Sequence, residues 1–228
     1  MQKYEWLLFD ADGTLFDYER AESAALAQVF QSIGVAFDPS HLAAYRRINQ
    51  PLWHAVEKGE LTPEAVKVRR FEILLQTIGV RHPADAFSAT YLRYLADCTE
   101  LIKGAAQTVQ VLQKKYRLAI LTNGFHVVQR RRLAQSVIRP YIAEIIISEE
   151  IGVSKPAKEF FDVAFARLGS PSREGTLMIG DGWNSDILGA TQYGIDSCWY
   201  NPGRKPRPPN GRTTREIATL GELIEWLE

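Results

Sequence analysis

Five short apolar runs constrain this 228-residue chain more than any other feature of it. They lie at Tyr4 to Phe9, Leu118–Thr122, Glu144–Ser148, Thr176–Gly180 and Ile195–Tyr200, each bounded by turn residues. A strand with one wet face alternates apolar and polar positions. A continuous apolar run instead suits a strand buried on both faces, as in a parallel sheet. Helix-length segments stand between the runs, most clearly at Thr108–Tyr116, Val127–Ser136, Ala157–Leu168 and Asn184–Tyr193. This alternation predicts an α/β domain with a doubly wound parallel sheet.

One interval breaks the alternation. From about residue 17 to 100 the chain reads as helix after helix, punctuated at Gly34, Pro39, Gly59–Pro63 and Gly79–Pro83 into about four helices. The expected organisation is a core of residues 1–16 and 101–228 with a small helical domain, 17–100, inserted after the first strand. The stretch "NPGRKPRPPNGR" (201–212) reads as an irregular loop, and an amphipathic helix is predicted over roughly 216–227. A hydrophobic content of 46% can fill such a core.

Lys+Arg and Asp+Glu both number 27, so no global field favours a nucleic acid polymer or an anionic membrane. The one like-charged cluster, Arg130–Arg132, is expected to be a solvated helix face. No apolar run is long enough to span a bilayer, and the N-terminus lacks a signal-peptide pattern, so the expectation is a cytoplasmic protein. Cys98 and Cys198 have no metal-binding spacing and are expected to be reduced, buried small hydrophobes.

The first run ends in "WLLFDADGTLF" (6–16), with Asp10 and Asp12 two residues apart. Asp-Gly between apolar runs is a hairpin signal. A calcium loop would need Leu8 as its first ligand, and leucine cannot coordinate. In an extended backbone the two carboxylates instead project to one side, where they repel unless a cation sits between them or one holds a proton. A divalent metal at the carboxyl end of a strand would answer this, because open α/β sheets bind ligands there.

Three later segments bear on that choice. "AILTNG" (119–124) ends a strand with a hydroxyl, Thr122, and backbone N–H groups suited to anionic oxygens. "GVSKP" (152–156) sets Lys155 before Pro156 at an expected helix start, where a cation is disfavoured unless it faces an anion. "LMIGDGWNSD" (177–186) adds Asp181 and Asp186, which suit a hard cation such as Mg²⁺, with Asn184 as a possible helix N-cap.

In this order, "DADGT", "TNG", "SKP" and "GDGWNSD" resemble the four motifs of the haloacid dehalogenase-like superfamily, and the resemblance covers essentially the whole chain. It implies a Rossmann-like parallel-sheet core with an inserted all-helical C1 cap. "INQPLWHAVEKGELT" (48–62), "AILTNG" and "CWYNPG" look most like bacterial pyrimidine 5′-nucleotidases. By that resemblance Asp10 is the nucleophile that forms an aspartyl-phosphate. Asp12 is the general acid and base, and its backbone carbonyl is also a Mg²⁺ ligand. Thr122, Asn123 and Lys155 hold the phosphate, while Asp181 and Asp186 complete the Mg²⁺ site. The dehalogenases of the superfamily replace the second aspartate, which is present here as Asp12, so the resemblance points to a phosphatase. The expected substrate is a small phosphomonoester, first a nucleoside 5′-monophosphate, with sugar phosphates and phosphoglycolate as alternatives. A phosphomutase and a non-catalytic binding module are the remaining readings. Specificity candidates are Phe16, Tyr18, Arg46, Asn49, Trp53, His54, Phe125 and His126.

Overall fold

The computed structural model describes residues 3–228. Its strands are β1 (Trp6–Phe9), β2 (Arg117–Thr122), β3 (Glu144–Ile147), β4 (Thr176–Gly180), β5 (Asp196–Tyr200) and β6 (Arg215–Ile217). They form one sheet in the order β3-β2-β1-β4-β5-β6, with every pairing parallel. The hairpin reading of the first run is thereby excluded. Successive residues of β1 point to opposite faces, and both faces are covered. Leu7 and Phe9 join one core cluster with Ile120, Ile147 and Ile179, while Trp6 and Leu8 join another with Leu121, Met178, Phe160 and Phe161. This is why the runs are continuously apolar.

Four helices follow β1 in succession: α1 (Tyr18–Ser32), α2 (Pro39–Glu57), α3 (Pro63–Thr77) and α4 (Ala84–Asp97). Their starts are locally encoded. The side chains of Asp17, Asp38 and Thr62 cap the first three, and proline occupies the first turn of α2 and α3. The four helices bury a second cluster, including Phe30, Tyr45, Phe71, Phe87 and Tyr91, which Phe125 and Val128 at the start of the later helix over His126–Gln135 also join. Six shorter helices complete the fold: α5 (Ala105–Leu112), α6 (His126–Gln135), α7 (Ser148–Ile151), α8 (Lys158–Arg167), α9 (Gly189–Tyr193) and α10 (Gly221–Leu227). The structure has no helix long and apolar enough to cross a membrane among the described residues.

Five local expectations need correction. The last predicted helix is split, because Arg215–Ile217 pairs with β5 as β6 and only Gly221–Leu227 is helical. Lys155 and Pro156 precede α8, which begins at Lys158 with Ala157 at its cap. Asn184 caps nothing, since it lies inside a π-helical turn over Trp183–Leu188 that opens at Gly182. The arginine cluster is not uniformly solvated: Arg130 and Arg131 are exposed, whereas Arg132 is fully buried. Cys198 is buried as expected, but Cys98 is only half-buried.

Candidate active site

The chain visits β1, β2 and β3 on one side of the sheet and then returns to place β4 against the other side of β1. The order of strands therefore switches beside β1, where loops diverge and leave a crevice at the carboxyl ends. Asp10 ends β1, Thr122 ends β2 and Asp181 follows β4, so one edge of the fold collects all three. A cavity of about 250 Å³ lies there, floored by these residues with Asp12, Lys155 and Asp186. Helices α1 to α3 roof it with Tyr18, Asn49, Trp53 and Arg70.

Lys155 is the hub of the floor. Its ammonium group is 1% exposed and donates to Asp10 Oδ1 at 2.7 Å, Asp186 Oδ1 at 2.7 Å and the Leu121 carbonyl at 2.6 Å. All three of its N–H donors are thus used. Burial opposes its charge, but Asp10 and Asp186 outweigh burial and raise its pKa. Asn123 fixes the lysine from behind. Its side-chain amide donates to the Lys155 carbonyl and its oxygen accepts the Lys155 N–H, both at 2.9 Å. Thr122 Oγ1 accepts the Gly124 N–H at 3.0 Å, which leaves its own O–H free to donate.

Asp10, Asp181 and Asp186 each bring one carboxylate oxygen to within 4.8 Å of the others. Burial raises the Asp10 pKa well above the ordinary range, against Lys155 and with the help of Asp186 and Asp181. The packing around Asp181, and then the charge of Asp186, push its pKa up to about 7. Asp181 opens onto the cavity, so water there moderates that shift. Three hard oxygen donors in mutual repulsion fit a divalent cation such as Mg²⁺. The Asp12 carboxylate lies outside this cluster.

Glycine makes room for these carboxylates. Gly13 has φ +82°, and a Cβ there would come 2.7 Å from Asp181 Oδ2, so both its backbone and its neighbour exclude a larger residue. Thr14, next in sequence, accepts the Asp181 N–H at 3.0 Å and donates to Asp181 Oδ1 at 3.1 Å. Asp186 Oδ2 accepts the Gly182 N–H at 2.9 Å, which ties the π-helical turn to the floor.

Asp12 is held differently. Gln129 Nε2 donates to its Oδ2 at 2.5 Å, and Arg132 pairs with its Oδ1. The Arg132 guanidinium also donates to Gln129 Oε1 at 3.0 Å and lies 4.4 Å from the Phe16 ring centre. Gln129 and Arg132 stand three apart on α6 and so share a face. That spacing was a usable signal, hidden because a run of three arginines looks like surface.

The specificity candidates divide into two groups. Asn49 and Trp53 are four apart on α2 and line the cavity with Tyr18 and Phe125, and the Trp53 and Phe125 rings are 5.3 Å apart. The other four point elsewhere. Phe16 is buried in the main core beneath Arg132, and Arg46 is drawn off to Glu22, which its Nε meets at 2.6 Å. His54 is exposed and pairs with Glu57, while His126 is exposed and pairs with Glu149. Sequence reading missed Thr14, Arg70, Gln129 and Arg132. The signal for Arg70 was its position between Val66 and Leu74 on the apolar face of α3.

The sequence model of haloacid dehalogenase-like hydrolases matches residues 4–194. The HAD-hydrolase YfnB of Bacillus subtilis is 39% identical over 227 residues, covering 100% of this chain and 97% of that one. Its crystal structure, bound to magnesium, superposes with a TM-score of 0.94, 38% identity and full coverage of both chains. The pyrimidine 5′-nucleotidase YjjG of Escherichia coli is 32% identical over 225 residues, covering 99% of this chain and 98% of that one.

Proposed function

The chain belongs to the haloacid dehalogenase-like hydrolase family as a hydrolase of phosphoric monoesters, and we propose that it is a Mg²⁺-dependent nucleoside 5′-monophosphatase working through Asp10. The observation that carries the chemistry is the Asp10–Lys155–Asp186 array at the strand ends. Asp10 Oδ1 takes the Lys155 hydrogen bond, while Oδ2 takes none from the described residues and is the oxygen assigned to attack phosphorus. The bond between phosphorus and the leaving oxygen breaks as the aspartyl-phosphate forms. Asp12 gives a proton to the leaving oxygen, then takes one from the water that releases phosphate and regenerates Asp10.

A phosphate dianion approaching a carboxylate meets repulsion, and the floor supplies the compensation. The Thr122 O–H and the Asn123 N–H are assigned to the phosphoryl oxygens, and Lys155, whose three donors are already used, is assigned to neutralise the nucleophile and the phosphate by its charge. Asp10, Asp181, Asp186 and the Asp12 carbonyl are assigned to Mg²⁺, which when bound would neutralise charge on the transferring group. Gln129 and Arg132 act through Asp12 and are positioning residues. The block over 17–100 is assigned as the cap and the remainder as the core. The unbroken run of helices α1 to α4 after β1 supports this, and Lys67 with Glu149 and Arg131 with Asp97 at 2.6 Å tie the two blocks together.

The nucleotide assignment rests on the aromatic walls, Trp53 and Phe125, and on the similarity to YjjG. Its test is the kcat/KM for nucleoside monophosphates, sugar phosphates and phosphoglycolate with Mg²⁺. A preference for uridine or thymidine 5′-monophosphate, lost with EDTA, is expected. A sugar-phosphate preference would overturn the nucleotide assignment, and activity unaffected by EDTA would overturn the metal assignment.

A further inference from the structure

Arg70 on α3 is 1% exposed. A guanidinium that deep normally faces a carboxylate, because an unpaired buried charge is costly. Among the described residues no carboxylate lies within ion-pair distance of Arg70. Glu22, the buried carboxylate of the same helical block, is taken by Arg46 at 2.6 Å. Arg70 spends one nitrogen on the protein: Nη1 donates to the Tyr45 hydroxyl at 2.9 Å and to Asn49 Oδ1 at 3.4 Å. Nε and Nη2 are buried and have no hydrogen-bond partner.

Aromatic rings explain how the charge is tolerated, not how the donors are satisfied. The guanidinium carbon lies 4.7 Å from the Phe71 ring centre, 5.1 Å from Tyr91, 5.2 Å from Phe125 and 5.8 Å from Tyr45. Such contacts favour the cation electrostatically, but a ring gives an N–H no lone pair in its plane. The two unused nitrogens form one edge of the guanidinium, with parallel N–H bonds that match an acceptor pair. Arg70 also lines the cavity that holds Asp10 and Lys155.

Resting on the phosphomonoesterase reading, we infer that Arg70 reads the leaving group: its Nε–Nη2 edge binds an oxo acceptor on the organic part of the substrate. Lys155 and the strand ends hold the phosphate, so the roof meets the other end of the molecule. The walls of Trp53 and Phe125 favour a flat group there, and the substrate class is a phosphomonoester with a planar carbonyl or carboxylate oxygen. The ring carbonyl of a pyrimidine nucleotide and the carboxylate of a phosphorylated hydroxy acid share this chemistry. A leaving group with no such oxygen leaves the two donors buried and unpaired, which costs affinity.

The test compares the wild-type protein with Arg70→Lys and Arg70→Met on three substrates with Mg²⁺. Uridine 5′-monophosphate offers the carbonyl, 2-phosphoglycolate the carboxylate, and phenyl phosphate offers neither. The wild type is expected to prefer one of the first two. In both variants kcat/KM for that substrate, relative to phenyl phosphate, is expected to fall about tenfold or more, mainly through KM. The substrate whose ratio falls identifies the source of the oxo group. Arg70→Lys keeps a cation on the rings and loses the fork, so it decides the matter even where Arg70→Met does not fold. An unchanged ratio, or a parallel loss on all three substrates, would show Arg70 to be structural and overturn the inference. A wild type inactive on all three would overturn the phosphomonoesterase reading itself, and the inference with it.

Discussion

The floor and the roof of the cavity treat charge in opposite ways. On the floor, Lys155 spends every N–H on fixed oxygens and Asn123 fastens its backbone. In the roof, Arg70 keeps two buried N–H donors without a partner. The difference separates two tasks. A group that must hold a reacting atom is pinned before substrate arrives, so no reorganisation is needed in the reaction. A group that must recognise one leaving group leaves its donors open for it.

The largest expected effect falls on the floor. Asp10→Asn should lower kcat at least about a thousandfold. Its thermal unfolding should remain cooperative, because an amide still accepts the Lys155 hydrogen bond. Substantial residual turnover would remove Asp10 as nucleophile and dissolve the division between floor and roof.

Lys155→Met comes next, and it should damage the fold as well as activity. It leaves Asp10 and Asp186 as uncompensated buried carboxylates, at a cost of about 3–5 kcal/mol in denaturant unfolding without metal. A loss under 1 kcal/mol would mean that the floor is far wetter than its burial indicates.

Metal and pH sharpen the same contrast. Burial and then Asp186 raise the Asp181 pKa from 3.8 toward about 7, and water in the cavity moderates the rise. The folded state then holds a proton that the unfolded state has released, so this contribution is present at low pH and is lost as pH rises from about 4 to 7. The metal-free protein should therefore lose thermal stability over that window. Mg²⁺ should flatten the slope and raise the midpoint with its concentration. Asp181→Asn should also flatten it, and a steep slope persisting in that variant would assign it to other groups.

The smallest effect is also the most local. Arg131 and Arg132 are neighbours in sequence, but Arg131 pairs with Asp97 at the surface and Arg132 is buried against Asp12. Arg131→Ala should change stability by less than about 1 kcal/mol. Arg132→Ala should lower kcat about 10–100-fold with little change in KM, because it acts through the position of Asp12. The pH–rate profile should change shape with it, and Arg132→Lys should recover part of the rate. Equal effects of the two variants on kcat would refute the positioning role.

How much was legible follows from these residues. Asp10, Thr122, Asn123 and Asp181 could be found because each sits at a strand end or beside one, and continuous apolar runs mark strand ends plainly, whereas Lys155 and Asp186 were legible only through the order of the four motifs. Strand β6 was missed because three residues carry no period of their own and are recruited by pairing with β5. The specificity candidates split evenly, since an aromatic or polar residue on a helix gives no sign of which neighbour will claim it. Arg46 went to Glu22 and Phe16 to the core, whereas Asn49 and Trp53 reached the cavity.

The chain alone determined its layers, its inserted helical block and which side chains stand at its strand ends. Those depend on local period, capping and motif order, which are written in consecutive residues. Only the tertiary structure decided which charges are paired. It buried Arg132 of the three-arginine run against Asp12 and left Arg70, on a different helix, in the roof with donors to spare. Pairing depends on distances between residues far apart in sequence, such as the 120 positions between Asp12 and Arg132, and no local pattern records those distances.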